Sequence, residues 1–296
     1  MRNIILGTDW WTDCDDAVAV RVLSKFVKNG EINLKGVIIN ACMEYSFASL
    51  KGFLKAEGVE NIPIAIDLKG TDFGGSPSYQ KRLKETFAPD LSNPKESDPV
   101  KLYRKILSET EGKVEIIEIG YLQVVAALLE SKPDEYSDKC GIDLVKEKVE
   151  KFWVMAGKWD KQGEKENNFC RNERSRKAGR IFCELCPVPT TFLGWEAGVN
   201  VITGGKLFKE DHLYKVLCDH GSFNGRSSWD PMLMLLAIIG DEAKAGYSVV
   251  KGKAKLNAET GENYFEEKEN GLHQYVVKKF ENSYYENLIN DIIKQK

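Results

Sequence analysis

The segment Gly7-Thr8-Asp9-Trp10-Trp11-Thr12-Asp13-Cys14-Asp15-Asp16-Ala17 constrains this chain more than any other. Four carboxylates fall within eight residues, between an apolar run, Ile4–Gly7, and a helical pattern, Asp15–Asn29. Like charges this close repel one another unless something cationic compensates. A helix N-terminus supplies part of that compensation, and a divalent cation supplies far more. Hard carboxylate oxygens suit calcium or magnesium. Ordinary N-capping accounts for one of these acids and leaves the other three unexplained. The segment therefore predicts a strand-to-helix turn that holds a metal.

The rest of the chain repeats the same alternation. Strands are predicted at Asn33–Ile39, Pro63–Ile66, Val114–Ile119, Glu150–Met155 and Pro189–Leu193. Helices are predicted at Ser46–Glu57, Pro99–Thr110, Leu122–Ser131, Asn172–Cys186 and Asp230–Gly240. This order implies an α/β fold, a mainly parallel, Rossmann-like open sheet with helices on both faces. Near the C-terminus, Tyr247–Lys251, Ala254–Asn257 and Gln274–Lys278 read as a small antiparallel element, and Ser283–Lys296 as a closing helix. Segment 68–98, rich in Gly, Pro and Ser, reads as a long irregular loop and a candidate for the active site. No repeat or linker divides residues 1–296, so one domain is expected.

Composition narrows the function. A net charge of −3, with acids and bases nearly balanced, gives no basic footprint for nucleic acid and no basic face for an anionic membrane. The N-terminus lacks the apolar core of a signal peptide, and no stretch approaches a membrane span; a cytoplasmic protein is expected. The seven cysteines are scattered and odd in number, which argues against a disulfide framework. Cys183-x-x-Cys186 has no second pair to complete a zinc site.

In parallel sheets ligands bind at the carboxyl ends of strands, and polar clusters recur there. The acidic turn resembles the D-x-D-x-G-x-D-D signature of the inosine–uridine-preferring nucleoside hydrolase family, in a variant with one extra residue. Gly36-Val37-Ile38-Ile39-Asn40 resembles that family's second strand. Gly120-Tyr121-Leu122-Gln123-Val124 stands where it has G-P-L-T-N, and Val154-Met155-Ala156-Gly157 resembles its M-G-G. Glu166-Asn167-Asn168 resembles its E-x-N, and Trp229-Asp230-Pro231 its late H-D or W-D segment.

The resemblance implies calcium-dependent hydrolysis of a ribonucleoside, a role in purine salvage, and a homodimer or homotetramer. It implies calcium ligands Asp9, Asp16, Asp230 and the Gln123 carbonyl, with Asp9 also the general base on water. Asp15 would bind the ribose 2′-hydroxyl, with Asp13 the alternative, and Glu166 and Asn168 the 3′- and 5′-hydroxyls. Asn40 would orient the acids, and Met155 would touch substrate. Trp229 replaces a proton-donating His, which implies a purine stacked on its ring, with Trp10 or Trp11 as a possible second ring. None of His212, His220 and His273 stands at the family's histidine position. Other readings are hydrolysis of a different N-riboside, a metal-dependent phosphatase, and a non-catalytic nucleoside-binding protein.

Overall fold

The computed structural model describes residues 1–295. The chain runs β1 (Arg2–Thr8), α1 (Asp15–Lys28), β2 (Ile32–Ile39), α2 (Ser46–Ala56), β3 (Ile64–Ile66), α3 (Gln80–Phe87) and α4 (Pro99–Glu109). There follow β4 (Val114–Glu118), α5 (Gln123–Leu129), α6 (Gly141–Lys148), β5 (Val149–Met155), β6 (Glu164–Lys165), α7 (Asn167–Cys170) and α8 (Glu173–Leu185). Next come β7 (Thr190–Leu193), α9 (Trp195–Gly198), β8 (Ile202–Thr203), α10 (His212–His220), β9 (Arg226–Ser227) and α11 (Trp229–Ile239). The chain ends with β10 (Tyr247–Leu256), β11 (Glu262–Glu267), β12 (His273–Lys278) and α12 (Asn282–Lys294).

Ten strands form one sheet in the order β3-β2-β1-β4-β5-β7-β12-β10-β11-β6. From β3 to β12 every neighbouring pair is parallel, and β10, β11 and β6 extend the sheet antiparallel. A strand buried on both faces needs apolar residues throughout, and Ile4, Ile5 and Leu6 of β1 are fully buried. One core lies under α1, α11 and α12, and a second under α4, α5, α6 and α8. Chain order reverses around β1, with β2 on one side and β4 on the other. The crevice beyond the carboxyl end of β1 is where such a sheet binds ligands, and the acidic turn leaves from that end.

The α/β architecture matches the sequence reading, but elements such as α6, α10 and β11 were not expected, and three predicted segments differ. The two strands expected at Tyr247–Lys251 and Ala254–Asn257 are one strand, β10. Gly252 breaks its alternation because the partner backbone at Glu266 passes too close for a side chain. Segment 68–98 is not a continuous loop: it contains a 3-10 turn, Leu68–Phe73, and α3, whose polar sequence offers the core only Gln80 and Leu83. The closing helix ends at Lys294; Lys296 lies outside the described residues. Among the described residues no helix is long and apolar enough to cross a membrane, and all seven cysteines are free thiols.

Candidate active site

The chain reverses sharply after β1. Trp10 has φ 43°, a left-handed conformation that costs a bulky residue about 1–3 kcal/mol. Packing holds it there. Its indole is fully buried, donates to Ser49 Oγ at 2.8 Å, and meets the Phe53 and Tyr79 rings at 5.4 and 5.6 Å. Trp10 is thus a core residue, and the sequence reading of it as a possible stacking ring is corrected. Trp11, one residue on, lines a cavity of about 300 Å³, and its Nε1 donates to Gly74 O at 2.7 Å. Segment 68–98 therefore braces this ring from behind without lining the cavity.

Asp9, Asp15 and Asp16 line the same cavity, joined by Asp230 from the first turn of α11. Oxygens of Asp15, Asp16 and Asp230 lie within 4.8 Å of one another, and all three side chains are buried. The Asp16 carboxylate accepts from the Thr8 hydroxyl and, at 3.2 Å, from the Trp10 amide. Asp9 accepts from the Trp11 amide at 3.2 Å, and Asp15 from the Asp230 amide at 3.2 Å. Burial, reinforced by the neighbouring carboxylates, raises the pKa of Asp9, Asp15 and Asp230 well above the carboxylate range. Burial also raises Asp16, to about 6, against the Thr8 hydroxyl and Trp10 amide that favour its charge.

Two ionised carboxylates 4 Å apart repel by about 4 kcal/mol at an effective dielectric of 20. Among the described residues the cavity wall offers one cation, Arg226, already paired with Asp13 through Nε at 2.9 Å and Nη2 at 2.5 Å. Four buried acids with no cation of their own, all oxygen donors, fit a hard divalent metal ion. That pairing also separates the two candidate ribose acids. Asp13 is engaged with Arg226, while Asp15 stays in the acidic cluster.

Glu166 and Asn168 stand on the wall with Met155. Glu166 caps α7: its oxygens accept from the Asn168 and Gly157 amides, each at 2.9 Å. Burial lifts its pKa to about 7, against those two N–H groups. Asn168 Nδ2 donates to Met155 O at 2.9 Å, which ties the end of β5 to α7.

Two expected residues do not reach the cavity wall. Asn40 lies behind it, donating to Glu118 Oε1 at 2.7 Å and accepting from the Tyr121 amide at 3.0 Å. Gln123 turns its side chain to Asn40 O and Asp67. Beneath the turn, Gly120 fits because a Cβ there would lie 2.5 Å from Asn40 Oδ1 and 2.9 Å from Asp9 Cβ.

Several functional candidates were not read from the sequence: Thr12, Ile119, Asn167, Trp195 and Arg226 on the wall, and Glu118 behind it. Trp195 and Trp229 stack with centroids 6.4 Å apart, and Trp229 Nε1 donates to Trp195 O at 2.8 Å. The G-W sequence after β7 lies at a strand's carboxyl end, which was the available signal. No histidine lines the cavity among the described residues; His220 sits 3.8 Å from Asp13 and bonds Ser222.

No protein-family model matches this chain, and no curated protein matches it. Solved structures do. The chain has the fold of the inosine-uridine preferring nucleoside hydrolase from Bacillus anthracis, at 14% identity and TM-score 0.73 over 99% of both chains. It is also similar to the type III effector protein XopQ complexed with adenosine diphosphate ribose, at 15% identity and TM-score 0.72. That match covers 99% of this chain and 93% of the other. The effector protein XOO4466 matches at 16% identity and TM-score 0.71, with the same coverage. At these identities the likeness establishes the nucleoside hydrolase fold.

Proposed function

We propose that this chain is a calcium-dependent N-ribohydrolase that cleaves the N-glycosidic bond of ribonucleosides, preferably purine ones, to free base and ribose. The observation that carries the reading is the cluster of four buried carboxylates in a cavity also lined by Glu166, Asn168 and three tryptophans, Trp11, Trp195 and Trp229.

Asp9, Asp16 and Asp230 are the residues that would hold the cation; Gln123, which the resemblance implied as a fourth ligand, does not line this cavity. When bound, it supplies Lewis-acid activation of water and the positive charge that lets the acids ionise together. Asp9 takes the proton from the attacking water. Asp15, Glu166 and Asn168 hold the ribose hydroxyls, and Asn40 braces the floor from behind. Cleavage passes through an oxocarbenium-like state, whose positive charge the buried carboxylates favour. Trp11 and Trp229 offer aromatic surface to the base, worth roughly 0.5–1.5 kcal/mol beyond area burial.

The test is reducing-sugar release from inosine, guanosine, adenosine, cytidine and uridine with calcium, beside an Asp9→Asn control. Release that disappears in the variant supports the reading. Its absence with every nucleoside, or phosphate release from p-nitrophenyl phosphate with magnesium, overturns it. Faster turnover of uridine than inosine below saturation overturns the purine preference.

A further inference from the structure

We propose that Arg226 selects the leaving base and makes 6-oxopurine ribosides, inosine and guanosine, the preferred substrates; this rests on the N-ribohydrolase reading above. Among the described residues Arg226 is the only cationic side chain lining the cavity. It is fixed from two sides. Asp13 accepts from Nε and Nη2 at 2.9 and 2.5 Å, and the guanidinium carbon lies 5.3 Å from the Trp229 ring centroid. Its backbone is held as well, in β9, where Arg226 pairs with Thr203. A guanidinium held this way loses little further freedom when it binds a ligand.

Asp13 occupies only one edge of that guanidinium. The group carries five N–H donors, and Nη1 hydrogen-bonds nothing among the described residues. What remains is an edge with parallel N–H donors, which suits two adjacent acceptors. Guanine and hypoxanthine present such a pair, O6 and N7, whereas adenine sets an amino donor beside N7. Pyrimidines lack an equivalent pair. Arg226 and Trp229 line the same cavity, so a base lying against the Trp229 side of it is within reach of the guanidinium.

The pairing strengthens during reaction. As C1′–N9 breaks, its electron pair leaves with the base and spreads toward N7 and O6, facing a fixed cation. The water oxygen bonds to C1′, Asp9 takes one of its protons, and the departed base regains a proton from solvent. Arg226 stays charged throughout and transfers none.

The experiment compares kcat/KM for inosine and for purine riboside, which lacks O6, in the wild type, Arg226→Met and Arg226→Lys. Inosine is expected to exceed purine riboside by roughly ten- to hundredfold in the wild type. The ratio should collapse to within a few-fold in Arg226→Met, and should also fall in Arg226→Lys, which keeps the charge and loses the fork. Both substrates meet the same protein, so a general loss from a loosened Asp13 cancels in the ratio. A ratio unchanged in the variants overturns the proposal. So does a preference for inosine 5′-monophosphate over inosine, which would assign Arg226 to a phosphate. If no riboside is cleaved by the wild type, the N-ribohydrolase reading fails first and this one with it. If purine riboside is cleaved as well as inosine, only this one fails.

Discussion

Replacing Glu118 with glutamine should remove a pH-dependent weakness from the fold. Glu118 ends β4 with its carboxyl fully buried. It accepts from Asn40 Nδ2 at 2.7 Å and the Gly120 amide at 3.3 Å, with the Tyr103 hydroxyl 3.5 Å away. No lysine, arginine or histidine bonds it among the described residues, and Gly7 lacks the Cβ that would collide with it. Burial lifts its pKa from 4.5 to about 8, against the donors at Gly120, Asn40 and Tyr103. An acid whose folded pKa is raised contributes stability below its unfolded pKa and loses it as pH climbs through the folded one. The interval from 4.5 to about 8 corresponds to about 5 kcal/mol once pH exceeds 8, and to roughly 3 kcal/mol at pH 7. Glutamine keeps the oxygen facing Asn40 and cannot ionise. The assay is urea unfolding of both proteins from pH 5 to 9 with chelator present. The active-site acids titrate in both, so the difference reports Glu118 together with its coupling to Asp16. It should move in favour of Glu118→Gln by roughly 1.4 kcal/mol per pH unit up to pH 8 and then level off. Stability curves that stay parallel across this range would refute the reasoning.

Two further outcomes bear on the site. Calcium at about a hundred times its dissociation constant should raise the unfolding free energy by about 2.7 kcal/mol. Scanning fluorimetry would show this as a melting temperature that rises with calcium and falls with a chelator; an Asp230→Asn protein that still gains the full increment would remove Asp230 from the ligand set. Gly120→Ala should cost about 1–3 kcal/mol through overpacking against Asn40 and Asp9. It should lower kcat for sugar release by displacing Asp9, and unchanged stability and rate together would show that the floor yields freely.

The acidic turn was legible because its chemistry is contiguous. Four carboxylates between an apolar strand and a helix declare their own repulsion, and the strand–helix alternation places them at a sheet's carboxyl edge. Arg226 was not legible. Its meaning depends on Asp13, 213 residues away in sequence, and on a two-residue strand too short for any periodicity. Nor was Glu118 legible, since nothing local tells a buried carboxyl from a solvated one. Trp10 and Trp11 could not be told apart either. Composition makes both aromatic, and only the reversal of φ between them sends one ring into the core and the other to the cavity. β10 was split in two because Gly252 interrupts the alternation at the point where a neighbouring strand passes close.

Binding sites built on loops usually belong to the parts of a protein that open most readily. The Trp10 indole makes this turn an exception. Its partners, Ser49 and Phe53 of α2 and Tyr79 ahead of α3, belong to the layer that covers one face of the sheet. To free the amides that follow, the indole must leave that layer, and the layer must part to release it. Amide exchange at Trp10 and Trp11 should therefore track the slowest, sub-global opening of the molecule. The turn that carries Asp9 and Asp16 would then lose its shape only when the domain itself unfolds.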